Sequence, residues 1–141
     1  MKKIITIIFP LLLASGTFWA NEPILSDETK VLLKEAKMQV EPVQAEKLKE
    51  WMVEQKIILL DVRDPDEWEK STINYDRQVK ISRGFLEIKY PKLILDKYTK
   101  EDTFVVYCAL EPRSVFAAQR LKQLGFKHVI YLEGGLKKFN P

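Results

Sequence analysis

The stretch TFVVYCALEPRSVFAAQRLKQLGFKHVIYL, residues 103–132, decides the fold class. Its β-branched and aromatic start, residues 103–107, predicts a strand, and the apolar side chains of residues 114–124 recur at helical spacing. Gly125 is suited to end that helix in a left-handed conformation, and residues 128–131 predict a second strand. A strand, a helix and a strand in this order form a βαβ unit, whose crossover is right-handed and joins parallel strands.

Upstream segments extend this pattern. The continuous apolar run at residues 57–60, which ends at Asp61, predicts a strand that is buried on both faces, as in a parallel sheet. Amphipathic patterns predict helices over residues 26–38 and 44–55. Shorter elements are predicted after them: a helix starting at 64–66, a strand at 78–81 and a helical or irregular stretch at 85–95. We therefore predict an α/β domain in three layers, with a mostly parallel central sheet flanked by helices.

The N-terminus has the pattern of a secretory signal peptide. Lys2 and Lys3 precede a largely apolar region of about ten residues, 4–13, and small residues follow. A bilayer span needs about twenty apolar residues, so we expect cleavage after residue 16 or 20 and no stable membrane insertion afterwards. The expected division is a signal peptide at 1–20, an N-terminal helical extension at 21–41 and a domain at 42–141. The mature protein is expected to be periplasmic or secreted.

Composition and cysteine content narrow the possible functions. Hydrophobic residues make up 46% and charged residues 30% of the chain, which is typical of a globular protein. The net charge is +3 and no basic run stands out, so we expect no nucleic-acid partner. Cys108 is the only cysteine. An exported protein with one cysteine forms no internal disulfide, so this thiol is either buried and inert or free and reactive.

The position of Cys108 favours the reactive state. It lies where a strand of the predicted sheet meets the start of a helix, the edge at which open α/β sheets bind ligands. Loop amides and the positive end of the helix dipole both favour a thiolate there. Arg113 adds a permanent cation that can hold an anionic substrate in bidentate fashion, and Ser114 can cap the helix or donate to the same anion.

Three segments carry a family resemblance: IILLDVRDPDEW at 57–68, TFVVYCALEPRS at 103–114 and VIYLEGGLKKF at 129–139. Together they resemble the rhodanese-like domain family over about residues 42–139. The combination of Asp-Val-Arg, Glu-Trp, a cysteine with arginine five positions later, and Gly-Gly makes the match specific. The loop from Cys108 through Arg113 has six residues, one fewer than in the related phosphatases that share the fold.

The resemblance implies a sulfurtransferase that carries sulfur as a persulfide on Cys108. The donor would be thiosulfate or a polysulfide-type compound, and the acceptor a thiophile such as a thiol or a partner protein. No metal and no organic cofactor would be needed. Asp61 and Arg63 are expected to brace the site from below, and Gly134 and Gly135 to form a turn near its mouth. Backbone amides are expected to stabilise the transferred sulfur, namely those of Ala109, Leu110, Glu111, Arg113 and Ser114.

Glu111 departs from the family pattern, because catalytic members usually have glycine at this position. Its carboxylate would repel thiosulfate unless it points away from the site. This residue keeps open a second function, a non-catalytic binding or sensor module with the same fold. A third possibility is redox chemistry of Cys108 with a partner thiol, for which the chain offers no resolving cysteine.

Overall fold

The computed structural model describes residues 24–140, so the predicted signal peptide lies outside the described part. No helix within residues 24–140 is long and apolar enough to cross a bilayer. The strands are β1 (Glu41–Val43), β2 (Ile58–Asp61), β3 (Gln78–Lys80), β4 (Thr103–Tyr107) and β5 (His128–Leu132). The helices are α1 (Asp27–Lys37), α2 (Ala45–Val53), α3 (Pro65–Lys70), α4 (Leu86–Leu93), α5 (Pro112–Gln123) and α6 (Gly135–Phe139).

The strands form one sheet in the order β1-β5-β4-β2-β3, and every neighbouring pair is parallel. This confirms the predicted fold class. Strand β1 is not predictable from the pattern of apolar residues, because its three residues contain Pro42 and no apolar run. A proline is tolerated there since β1 lies at the edge of the sheet. The boundary predicted between residues 41 and 42 therefore falls inside a strand.

Alternate residues of the central strands enter two separate cores. Phe104 and Val106 of β4 join the core that α1, α4 and α5 cover, whereas Val105 and Tyr107 face the core under α2 and α6. Residues 57–60 divide in the same way, as the continuous apolar run predicts. Helices on both faces of the sheet give the three layers.

Helix α1 is packed into the domain. Ser26 caps it, because the Ser26 hydroxyl accepts a hydrogen bond from the Thr29 amide at 3.2 Å. Ala36 is fully buried in the core under α5, and Leu33 packs against the same core. Lys122 of α5 also donates to the Gln39 carbonyl at 2.9 Å. The N-terminal extension is therefore part of the folded unit.

Helix α5 starts two residues before the predicted start at Ser114. Its first residue is Pro112, which suits the first turn because its φ is already helical and it has no amide to satisfy. The connection from β4 consequently spans only residues 108–111, and Arg113 belongs to the helix.

A buried ion pair holds α3 against the sheet. Asp61, at the end of β2, is fully buried and Arg63 is 2% exposed. Arg63 Nη2 lies 2.7 Å from Asp61 Oδ2, and its Nε lies 3.0 Å from Oδ1. The same guanidinium donates to the Ser71 carbonyl at 2.8 Å and to the Glu67 carbonyl at 3.3 Å. The predicted pairing of Asp61 with Arg63 is confirmed, and the pair braces the end of α3 rather than the connection after β4.

Replacing Arg63 with alanine should strongly destabilise the protein. Removal of one partner leaves the Asp61 carboxylate buried without its counter-charge, which costs about 3–5 kcal/mol. Urea unfolding at neutral pH measures this loss. Lys127→Ala removes an exposed cation and should change the unfolding free energy by less than about 0.5 kcal/mol. Equal stability of the two variants would show that the pair does not brace the fold.

Candidate active site

Cys108 follows directly after β4, at the carboxyl edge of the sheet, and is 1% exposed. Strand β4 lies between β5 and β2, so the thiol is close to the middle of this edge. Its S–H donates to the Ser114 hydroxyl over 3.8 Å. The structure thus places the thiol next to the first turn of α5, as predicted from the sequence.

The connection after β4 is anchored through its carbonyl groups. The Leu136 amide donates to the Cys108 carbonyl at 2.8 Å, and the Lys137 amide to the Ala109 carbonyl at 3.1 Å. Both donors belong to α6. Gly135 precedes them with φ +63°, and a Cβ at this position would lie 2.6 Å from the Cys108 oxygen. The predicted Gly-Gly turn therefore lies directly against the backbone of the cysteine.

Most of the predicted amide cradle is available for a ligand. Within residues 24–140, the amides of Ala109, Leu110, Glu111 and Arg113 donate to no protein acceptor. The predicted contribution of Ser114 is wrong. Its amide and its hydroxyl both donate to the Glu111 carbonyl, at 3.0 and 2.7 Å. Because α5 begins at Pro112, Ser114 lies inside the first turn and bonds back along the helix.

Arg113 is bound by acidic residues that follow β2. Its Nη1 and Nη2 donate to the two carboxylate oxygens of Glu67 at 2.6 and 2.8 Å, and Asp64 lies 3.6 Å from Nη1. Glu67 takes one N–H from each terminal nitrogen of Arg113, which leaves three of the five N–H donors, and the contact of this guanidinium with a substrate stays a prediction. The hydrogen bond from Arg113 is the main cause that lowers the pKa of Glu67. The sequence contains Glu67 and Arg113 but does not show that their side chains are in contact.

Glu111 points away from the thiol. Its Oε2 accepts a hydrogen bond from the Gly134 amide at 2.9 Å, and its Oε1 forms an ion pair with Lys37 of α1. Burial lowers the pKa of Lys37, but the hydrogen bond and the charge of Glu111 outweigh it and leave the pKa raised. The expected repulsion of an anionic donor does not apply, because the carboxylate is neutralised. No sequence signal connects Lys37 to a residue so far along the chain.

A cavity of about 290 Å³ lies next to Cys108. This inner cavity is lined by Leu25, Cys108, Ala109, Leu110, Pro112 and Arg113. A second cavity of about 450 Å³ lies on the other side of the connection, where Ala109 and Leu110 meet Arg63 and Glu67. Leu25 comes from the segment before α1, and sequence analysis gave it no role at the site.

The Glu67–Arg113 pair should make stability depend on acid. In the unfolded chain the Glu67 carboxyl has its ordinary pKa, about 4.3, whereas in the folded protein the pKa is lower. The pair therefore stabilises the fold above the unfolded pKa, and this contribution is lost as the pH falls through the folded pKa. Urea unfolding between about pH 5 and pH 3 should show a smaller decline for Glu67→Gln than for the wild type.

The matched control for this experiment is Glu69→Gln, which removes an exposed carboxylate from the same helix. It should keep the pH dependence of the wild type. An unaltered pH dependence in Glu67→Gln would contradict the role of the pair.

Substitution of Gly135 by alanine should displace the backbone at Cys108. The new Cβ would collide with the Cys108 and Ala109 carbonyl groups, and the positive φ is unfavourable for alanine. We expect a loss of about 1–3 kcal/mol of unfolding free energy, as for other overpacked sites. We also expect a changed rate of Cys108 alkylation by iodoacetamide.

Gly84→Ala is the control, because a Cβ there would meet nothing within 4 Å. A Gly135→Ala protein with the stability and alkylation rate of the Gly84→Ala protein would show that the close contact is unimportant.

Two solved structures share this fold over most of the chain. The polysulfide-sulfur transferase homodimer from Wolinella succinogenes is 31% identical, with a TM-score of 0.66, and the match covers 79% of this chain and 81% of that one. A protein of unknown function from Rhodopseudomonas palustris, described as a possible tyrosine phosphatase, is 26% identical, with a TM-score of 0.68. That match covers 84% of this chain and 93% of the other.

Among curated proteins, the probable adenylyltransferase/sulfurtransferase MoeZ from Mycobacterium tuberculosis is 31% identical over 90 residues. This match covers 63% of the chain but 22% of MoeZ, so the chain spans about a fifth of that relative. The family model of the rhodanese-like domain matches residues 44–141. With the parallel five-stranded fold and Cys108 at its carboxyl edge, this match shows that the chain belongs to the rhodanese-like domain family.

Proposed function

We propose that this protein is a sulfurtransferase that carries sulfane sulfur as a persulfide on Cys108. The observation that carries the proposal is the set of amides without protein acceptors, from Ala109 to Arg113, next to the thiol. Such amides and the N-terminus of α5 stabilise negative charge on a sulfur bonded to Cys108. The side chains nearby are neutralised in pairs, so the backbone provides the main stabilisation.

The reaction proceeds in two balanced steps. The Cys108 thiolate attacks the outer sulfur of thiosulfate, an S–S bond forms, and the original S–S bond breaks with its electron pair leaving on sulfite. The product is the persulfide anion of Cys108. In the second step a thiophilic acceptor such as cyanide attacks the terminal sulfur and leaves as thiocyanate, which returns the electron pair to the Cys108 thiolate. Neither step uses a metal or an organic cofactor.

The donor class is proposed from the relatives. The solved structure from Wolinella succinogenes is a polysulfide-sulfur transferase, and MoeZ is named as a sulfurtransferase. We propose thiosulfate or a polysulfide as the donor and a thiol or a partner protein as the acceptor. The chain spans only a fifth of MoeZ, so the adenylyltransferase chemistry in that name is not proposed for it.

We further propose that the protein works outside the cytoplasm, in the periplasm or as a secreted protein. The support is the sequence of residues 1–16, where two lysines precede a short apolar run and small residues.

A non-catalytic binding or sensor module is the second candidate. One observation favours it, the nearly complete burial of Cys108. The sequence made Glu111 an argument for the binding module. The structure removes this argument, because the Glu111 carboxylate forms an ion pair with Lys37 and accepts a hydrogen bond from the Gly134 amide.

Intact mass after incubation with a sulfur donor separates the two candidates. With thiosulfate or polysulfide, the wild-type chain should gain about 32 Da, the mass of one sulfur atom, and cyanide should remove it. Oxidation to a sulfinic acid adds about the same mass but is not reversed by cyanide. The reversal therefore identifies the persulfide.

Cys108→Ser is the control and should gain no sulfur. A wild-type protein that forms no cyanide-labile adduct with either donor would overturn the sulfurtransferase proposal and leave the binding module. Release of inorganic phosphate from an aryl phosphate would instead favour the phosphatase described for the relative from Rhodopseudomonas palustris.

A further inference from the structure

One residue that lines the inner cavity next to Cys108 lies outside the part of the chain that matches the family model. Leu25 lines this cavity together with Leu110 and Pro112, whereas the rhodanese-like domain begins at residue 44. This part of the cavity lining is thus a feature of this chain's own N-terminal extension.

Leu25 stands between two cavities. An outer cavity of about 540 Å³ is also lined by Leu25, Leu110 and Pro112, together with Glu111 and cationic side chains of α6. These three apolar residues are common to both cavities and therefore separate Cys108 from the outer one.

The position of Leu25 is fixed by the packing of α1. Ser26, the next residue, caps the helix, and Ala36 near its other end is fully buried. Lys37 then ties the helix to Glu111, directly before α5. These contacts hold α1 on the domain, so Leu25, two residues before the helix, has a defined place beside the inner cavity although it is only partly buried.

We propose that Leu25 is a specificity-determining residue that limits which sulfur donors reach Cys108. This inference rests on the proposed sulfurtransferase function. The donor class that it favours is a hydrogen polysulfide anion, and the donor that it disfavours is thiosulfate.

The reason is the polarity of the inner cavity. Among its described lining residues only Arg113 carries a charged side chain, and Glu67 neutralises that charge. The oxygens of thiosulfate lie two bonds from the sulfane sulfur, so they must enter an apolar space with it and lose their hydration.

A hydrogen polysulfide instead presents an uncharged S–H end. Its charge lies further along the chain, at about 2 Å for each S–S bond, and stays in the outer cavity. The thiolate attacks the terminal sulfur, the bond to the next sulfur breaks, and its electron pair leaves with the shortened polysulfide dianion. The hydrogen stays on the new Cys108 persulfide.

Leu25→Ala and the control Ile24→Ala test this inference in the purified chain. Ile24 is 101% exposed and lines neither cavity. It is therefore a control of the same chemistry, next to Leu25 in the chain, that does not line the site. The kcat/KM ratio of thiosulfate to polysulfide should rise by about tenfold in Leu25→Ala, as for a change of methylene groups in an apolar pocket. It should be unchanged in Ile24→Ala.

Alkylation of Cys108 by iodoacetamide and by a bulky maleimide gives a readout that does not depend on sulfur transfer. Leu25→Ala should increase the maleimide rate more than the iodoacetamide rate, and Ile24→Ala should alter neither. A wild-type protein that transfers sulfur, with unchanged donor ratio and alkylation rates in Leu25→Ala, would overturn the inference alone. A wild type that transfers none would overturn the proposed function and the donor preference, while alkylation would still decide whether Leu25 covers the thiol.

Discussion

The site depends on how the backbone groups of the short connection between β4 and α5 are hydrogen-bonded. Its carbonyl groups accept hydrogen bonds from within the fold: α6 donates to those of Cys108 and Ala109, and the first turn of α5 donates to that of Glu111. Its amides are left without protein acceptors within the described residues. Amides without a protein acceptor can donate to an anion, so this geometry favours an anionic sulfur beside Cys108. The close contact of Gly135 is what allows α6 to approach so near.

The ionic side chains around this connection serve to position it. Asp61 and Arg63 are buried together, and Arg63 binds the carbonyl groups at the end of α3. Helix α3 in turn holds Glu67 against Arg113. The charged side chains between β2 and α5 thus form neutral ion pairs. Each pair fixes one element at the carboxyl edge of the sheet. The pairs leave the inner cavity largely apolar.

The N-terminal extension also contacts the connection between β4 and α5. Helix α1 packs on α5, and its last residue, Lys37, neutralises Glu111. Glu111, which departs from the family pattern, is therefore paired with Lys37, which lies outside the residues that match the family model. Leu25 lines the inner cavity and Lys37 pairs with Glu111, so two residues of the extension contribute to the surroundings of the connection.

The sequence by itself determined the parallel α/β fold, since apolar runs and a βαβ pattern reflect burial on both faces of a sheet. It also placed Cys108 before a helix and paired Asp61 with Arg63, because these follow from positions close together in the chain. It misplaced the start of α5, overlooked β1 and assigned the Ser114 amide to the substrate. Only the tertiary structure decided that Arg113 meets Glu67, that Glu111 meets Lys37 and that Leu25 lines the same cavity as Cys108. These contacts join residues distant in sequence, and side-chain charges find their partners only when the sheet brings the strand ends together.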